Sequence, residues 1–163
     1  MKTTVAVLIC GGLVLAAVHA TVGAQASRSV NEGIYTKAQA DRGKTLYDEQ
    51  CATCHGDNLE GSGPMPPLAG KDFLALWSGK TIGELFDKVH TTMPATAPGT
   101  LKPEQSADIL AYMLSKGNFP AGATELAPQA EVLAQIKIEE PAAAGAAPAT
   151  AAPAPPTPPT PNP

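Results

Sequence analysis

Cys51-Ala52-Thr53-Cys54-His55 is the stretch from which the rest of this 163-residue chain can be organised. Two thiols three positions apart, followed at once by an imidazole, form the attachment signal of a c-type haem. One turn of helix brings both sulfurs to the two vinyl groups on one porphyrin edge. The next residue then aims its imidazole at the iron. Two other chemistries share part of the pattern. A disulfide or a thioredoxin-like redox pair has the same spacing, but the redox pair belongs with a βαβ pattern, and none is visible here. A zinc site needs four good ligands. His55 directly follows Cys54 and is badly placed to share its metal, which leaves His90 alone.

Working outward, the flanks are helical. Thr36-Lys37-Ala38-Gln39 fits a capping box, with Gln39 reaching back, and predicts a helix over 37–50 carrying Ala40, Gly43 and Tyr47 on one stripe. Gly43 inside a helix costs about 1 kcal/mol against Ala, so a close helix–helix approach is the expected reason for it. Residues 56–70 are rich in Gly and Pro and are expected as a loop. Phe73 to Trp77 predicts one helical turn. Thr81-Ile82-Gly83-Glu84 is a second capping box, followed by Ile82, Leu85, Phe86 and Val89 at helical spacing. Met93-Pro94 to Pro98-Gly99 is loop again. Pro103 opens a last helix over 103–116, with Ile109, Leu110 and Met113 inward, a poor cap at Lys102, and Gly117 or Asn118 at its end.

Residues 27–34 are expected as a short leader. In 121–140, Leu126, Val132, Leu133 and Ile136 are expected to pack back as a short helix. No segment alternates with period two. The expectation is therefore an all-α domain over 31–140, with three main helices around one covalently attached haem.

Composition bounds the alternatives. The single Trp, three Tyr and three Phe all fall between residues 31 and 120, a thin core of the kind that needs a staple such as a cofactor. The 11 basic residues stand against 15 acidic ones, without the Lys/Arg clusters that phosphate neutralisation requires, which excludes a nucleic-acid partner. Lys2 followed by an apolar run over Val5–Val18 and small residues predicts a signal peptide over 1–24. Cleavage is expected after Ala20, Ala24 or Ala26, taking Cys10 and His19 away and leaving no membrane span. Residues 141–163 hold 9 Pro and 9 Ala and are expected to be a disordered, partly polyproline tail, a solubilising segment before a tether.

Iron held by His55 has a sixth position, and Met65, His90, Met93 and Met113 are the candidates downstream. Met113 lies on the apolar stripe of the last helix, where core packing is its job. Met65 is too close to the proximal side. Met93, after a helix and before Pro94, is favoured over His90, since Met/His ligation is a recurring arrangement at haem iron and a soft thioether raises the potential. With both axial sites filled, electron transfer is expected rather than catalysis.

At this point the residues resemble a family. Gly43, Leu46-Tyr47, the Cys51–His55 motif with Gly56, Pro66-Pro67-Leu68-Ala69-Gly70, Thr92-Met93-Pro94 and Asp108-Ile109-Leu110-Ala111-Tyr112 look like a class I cytochrome c. Trp77, Glu84-Leu85-Phe86, Pro98-Gly99 and Phe119-Pro120-Ala121-Gly122 bring the pattern nearest to the haem c domain of quinohaemoprotein alcohol dehydrogenases. The resemblance implies thioethers at Cys51 and Cys54, a proximal His55 whose second nitrogen meets the Pro66 carbonyl, and a distal Met93. It also implies a pocket of Leu68, Trp77 and Phe86, with the Trp77 indole directed at a haem propionate. Ser106 stands where an aromatic is common in that family.

The resulting expectation is a periplasmic, non-enzymatic monohaem carrier cycling Fe(III)/Fe(II). Its donor is a redox protein such as a quinoprotein dehydrogenase, and its acceptor one such as a terminal oxidase. The alternative is a tethered cytochrome subunit of a dehydrogenase or respiratory complex. A ligand-binding haem enzyme or gas sensor is the third possibility, and carbon monoxide binding separates it.

Overall fold

Two helices meet where Gly43 predicts they should. In the computed structural model, which describes residues 28–142, α1 (Lys37–Gln50) packs along α5 (Pro103–Lys116). A Cβ on Gly43 would overlap the Asp108 backbone carbonyl, so the two backbones touch. Tyr47 of α1, fully buried, sets its ring 5.3 Å from that of Tyr112 in a tilted pair, a favoured aromatic geometry. The expected signal segment and nearly all of the Ala/Pro tail lie outside the described residues.

Between these helices the chain places α2 (Ala52–His55), α3 (Gly70–Trp77) and α4 (Ile82–Thr92). The capping box that opens α4 is complete: Thr81 Oγ1 accepts from the Glu84 amide at 3.2 Å, and Glu84 accepts from the Thr81 amide at 2.8 Å. At α5, Pro103 fills the first turn, and the Lys102 amide donates to the Gln105 side chain at 2.9 Å. Gly117 caps α5 and Asn118 takes the left-handed conformation after it. Phe119 N–H returns to the Leu114 carbonyl at 3.1 Å, the bond of a Schellman ending.

Beyond α5 the chain turns back through α6 (Ala130–Leu133). It closes with strand β2 (Ile136–Lys137), parallel to β1 (Arg28–Ser29). Among the described residues the architecture is all-α, with this two-residue pairing as its sheet. Each strand is too short to show period two, which is why the sequence carries no sign of it. The core joins all these pieces: Val30, Leu59, Ile82, Leu110, Leu133 and Ile138 are essentially inaccessible. Each such aliphatic contributes about 1.5–3 kcal/mol by burial.

The structure differs from expectation at the periphery. Residues 28–34 are not a mere leader: they pair with β2, form a 3-10 turn at Val30–Glu32, and bury Val30 and Ile34. Gln39 does not reach back to its own cap. Thr36 Oγ1 does accept from the Gln39 amide at 3.1 Å. The Gln39 side chain, however, binds both backbone groups of Leu126, at 3.0 and 2.7 Å. Val132 points outward, 48% exposed, while Leu126, Leu133 and Ile136 are buried. The turn foreseen at Phe73–Trp77 is an eight-residue helix. No described helix is long and apolar enough to cross a membrane.

Candidate functional site

The one-turn helix α2 carries the Cys51–His55 motif. Cys51 is both the cap of α2 and the residue that follows α1, and its amide donates to the Tyr47 carbonyl at 2.8 Å. Cys54 and His55 return amide bonds to the Cys51 carbonyl at 3.1 and 2.9 Å. The motif is thus wound as a single turn, with Cys51 half-buried, Cys54 exposed and His55 buried. Neither thiol is bridged. Burial, helped by Cys54 beside it, pushes the Cys51 thiol up to about 11. It is therefore protonated near neutrality until its sulfur is bonded.

His55 is oriented by the loop that follows. Its Nδ1 lies 2.9 Å from the Pro66 carbonyl oxygen. A carbonyl only accepts, so Nδ1 carries the proton and donates, which leaves Nε2 with a lone pair. The loop is held in place to do this: Gly61 N–H bonds the His55 carbonyl at 2.8 Å, Leu68 N–H bonds the Leu59 carbonyl at 2.8 Å, and Ser62 and Met65 pair across a tight turn. Leu59 is buried beneath it with a positive φ of 63°.

The other residues singled out from the sequence lie on the loop that follows and on α3, α4 and α5. Leu68 is half-buried and Pro66 exposed at the loop surface. Phe73 stacks on Trp77 at 6.3 Å, and Lys80 places its ammonium 5.2 Å from the Trp77 ring. Phe86 is buried on α4 and stacks on His90 at 5.5 Å. Met93 caps the C-terminus of α4, its amide bonded to the Val89 carbonyl at 3.1 Å, and is half-buried. The Met93–Pro94 peptide is cis. Met65 is 38% exposed, whereas Met113 is 3% exposed in the core of α5. His90 Nδ1 stands 3.3 Å from the Ser106 hydroxyl. Ser106, where the resemblance expects an aromatic, is fully buried to make that contact.

Two features escaped sequence reasoning. Leu59 sits in a Gly/Pro-rich loop and gives no periodic signal. The Tyr47 hydroxyl donates to the Gly56 carbonyl at 2.7 Å, closing a bracket around the motif. Tyr47 was placed on the inner stripe of its helix, but its polar partner lies outside that helix and carries no local mark.

The donor set fits a haem rather than a bare ion. Among the described residues, no group of three or more His, Cys, Asp or Glu side chains stands close enough to hold a metal by itself. One imidazole with a fixed tautomer beside two unbridged thiols is what a covalently attached iron porphyrin requires.

Comparison with known proteins agrees. Residues 38–113 match the family model described as cytochrome c oxidase, cbb3-type, subunit III. The chain is 35% identical over 80 residues to thiosulfate dehydrogenase of Stutzerimonas stutzeri, covering 45% of this chain and 26% of that protein. It is 58% identical over 31 residues to cytochrome c-554(547) of Halothiobacillus neapolitanus, covering 19% and 34%. It is 53% identical over 34 residues to the cbb3-type oxidase subunit CcoP of Azospirillum brasilense, covering 21% and 12%. The chain thus spans about a third or less of the curated relatives it matches. A structural likeness to the sulfane dehydrogenase SoxCD of Paracoccus pantotrophus has a TM-score of 0.49 at 23% identity, over 70% of this chain and 61% of that one.

Residues 38–113 therefore match a cytochrome c family, and the described residues have the all-α cytochrome c fold. The role that such a domain brings is electron transfer.

Proposed function

We propose that this chain is an exported monohaem cytochrome c that carries single electrons between redox proteins in the periplasm. The observation that carries the reading is His55: buried at the end of the turn that bears both thiols, with Nδ1 committed to Pro66 and Nε2 left free. Cys51 and Cys54 would hold the porphyrin as thioethers, and His55 and Met93 would hold its iron. Leu68, Trp77 and Phe86 wall the pocket. When bound, haem c supplies a one-electron Fe(III)/Fe(II) couple. The chain's own residues fix the imidazole through Pro66, exclude water with Leu68 and Phe86, and hold Met93 at the end of a capped helix. A rigid, dry site changes little between oxidation states. With His55 and Met93 both holding the iron, the chain would serve as a carrier rather than as an enzyme.

The donor, by resemblance to quinohaemoprotein dehydrogenases, is a dehydrogenase, and the acceptor an oxidase of the respiratory chain. The longer relatives favour a second reading. Thiosulfate dehydrogenase and CcoP are matched over only 26% and 12% of their lengths, so a domain of this kind also works inside larger assemblies. A tethered subunit would co-purify with its dehydrogenase or oxidase, whereas a carrier is recovered alone and exchanges electrons with either partner on mixing.

Optical spectra of protein exported by a host with haem-attachment machinery test the ligand set. The expected result is a low-spin c-type spectrum with a weak far-red methionine–iron band that Met93→Ala abolishes. Prompt carbon monoxide binding to the unaltered ferrous protein would contradict it.

A further inference from the structure

The helix that ends at Met93 is held by a part of the chain that lies beyond residues 38–113, the stretch the family model matches. α4 packs against α5 on one side and, more extensively, against α6 on the other. The contact with α6 is backbone to backbone: a Cβ on Gly83 would fall 2.7 Å from the Ala134 nitrogen, 2.8 Å from the Ala130 oxygen and 2.9 Å from the Ala134 Cα. Ahead of α4, Gly79 N–H bonds the Ile138 carbonyl at 2.8 Å and Ile138 N–H bonds the Lys80 carbonyl at 2.9 Å. Thr81, the cap of α4, bridges Lys137. The returning segment is itself fastened at its far end, by Gly122 N–H on the Tyr35 carbonyl and by Gln39 on Leu126. Leu133 and Ile138, fully buried, seal it down.

We infer that residues 121–138 form a strap that positions Met93, and that closure of this strap sets how persistently the Met93 sulfur occupies the sixth iron site. The inference rests on the reading of Met93 as the distal ligand. A neutral thioether is a weak ligand, and its occupancy depends on being held in place rather than on bond strength alone. α4 is a rigid rod of 11 residues, bonded through to the Met93 amide. Any play at its strapped end is transmitted to its other end. Local opening of the strap therefore competes directly with ligation.

The test uses the intact holoprotein, with Gly83→Ala and Leu133→Ala in the strap contact and Gly43→Ala in the α1–α5 contact as a reference. The methionine–iron band, the rate of carbon monoxide binding to the ferrous form, far-ultraviolet circular dichroism and the denaturant midpoint are measured for each. The strap variants are expected to keep their helix content, lose band intensity and bind carbon monoxide about tenfold faster than a reference at least as destabilised. Strap variants no different from the reference in band and rate overturn the inference. Native-state hydrogen exchange on the unaltered protein decides the matter without any variant. The amides of Ala134, Ile138 and Met93 are expected to open as one unit, and independent opening overturns the strap. The ligand reading fails separately: a band that survives Met93→Ala removes Met93 itself. A band lost in Met93→Ala but untouched by the strap variants removes only the strap.

Discussion

The Tyr47 hydroxyl donates to the Gly56 carbonyl over 2.7 Å, tying the helix that precedes the Cys51–His55 turn to the residue that follows it. Tyr47→Phe leaves that carbonyl without its donor and is expected to cost about 1–2 kcal/mol, read from denaturant midpoints. Burial also raises the ionisation of the Tyr47 phenol far above the ordinary tyrosine range. A raised folded value means that this contribution is complete below about pH 10, where the unfolded phenol ionises, and is lost as pH climbs beyond it. The alkaline midpoint of Tyr47→Phe is therefore expected to lie above that of the wild type relative to their stabilities at neutral pH.

Gly43 faces the Asp108 backbone with no room for a methyl group. Gly43→Ala forces α1 away from α5 and is expected to lower stability by about 3 kcal/mol, despite the better helix propensity of Ala. Thermal unfolding followed by circular dichroism checks this. A gain in stability would mean that the two backbones do not approach as described.

Arg42 grips Asp108 with two hydrogen bonds, at 3.0 and 2.9 Å, and reaches Glu125 at 2.9 and 3.1 Å. The Asp108 side chain is 12% exposed, so its loss of partner is the costly part of any change. Arg42→Gln is expected to cost about 2 kcal/mol. Adding Asp108→Asn is expected to restore part of that, because the stranded charge is gone. Additive losses in a double-mutant cycle would contradict this coupling.

Acid acts at two carboxylates. The Thr81 amide and then its hydroxyl hold Glu84 below the usual carboxylate range, and Arg42 does the same for Glu125. Depressed folded values give a contribution that is present above the ordinary glutamate pKa of about 4.3 and disappears as pH falls through the folded values. Glu84→Gln is expected to weaken the protein at pH 7 and to converge with the wild type in acid. Parallel stability curves for the two proteins across this range would contradict the capping role.

What was legible in the sequence was local. A motif whose chemistry needs five consecutive residues can be recognised without a fold, and the Thr36-x-x-Gln39 and Thr81-x-x-Glu84 patterns announce helices within four residues, although only the second closes as a capping box. Gly43 marked a close approach, although not its partner. The returning segment was harder. Gln39 meets Leu126, 87 positions away, and no local rule distinguishes that partner from its own cap. Val30 and the two-residue strands carry too few residues for any periodicity, so 28–34 read as a leader. Val132 and Leu133 are adjacent apolar residues on one helical turn, and only the packing of α4 decides that Leu133 turns in and Val132 out.

On the proposed reading Cys51 and Cys54 bind one haem, and His55 holds its iron. Mass spectrometry of the exported protein, intact and after digestion, tests it most directly. The expected result is a mass increase equal to a single haem, carried entirely by the peptide containing Cys51 and Cys54, with neither thiol open to alkylation. A porphyrin-free chain whose cysteines alkylate freely or are joined to each other would contradict it.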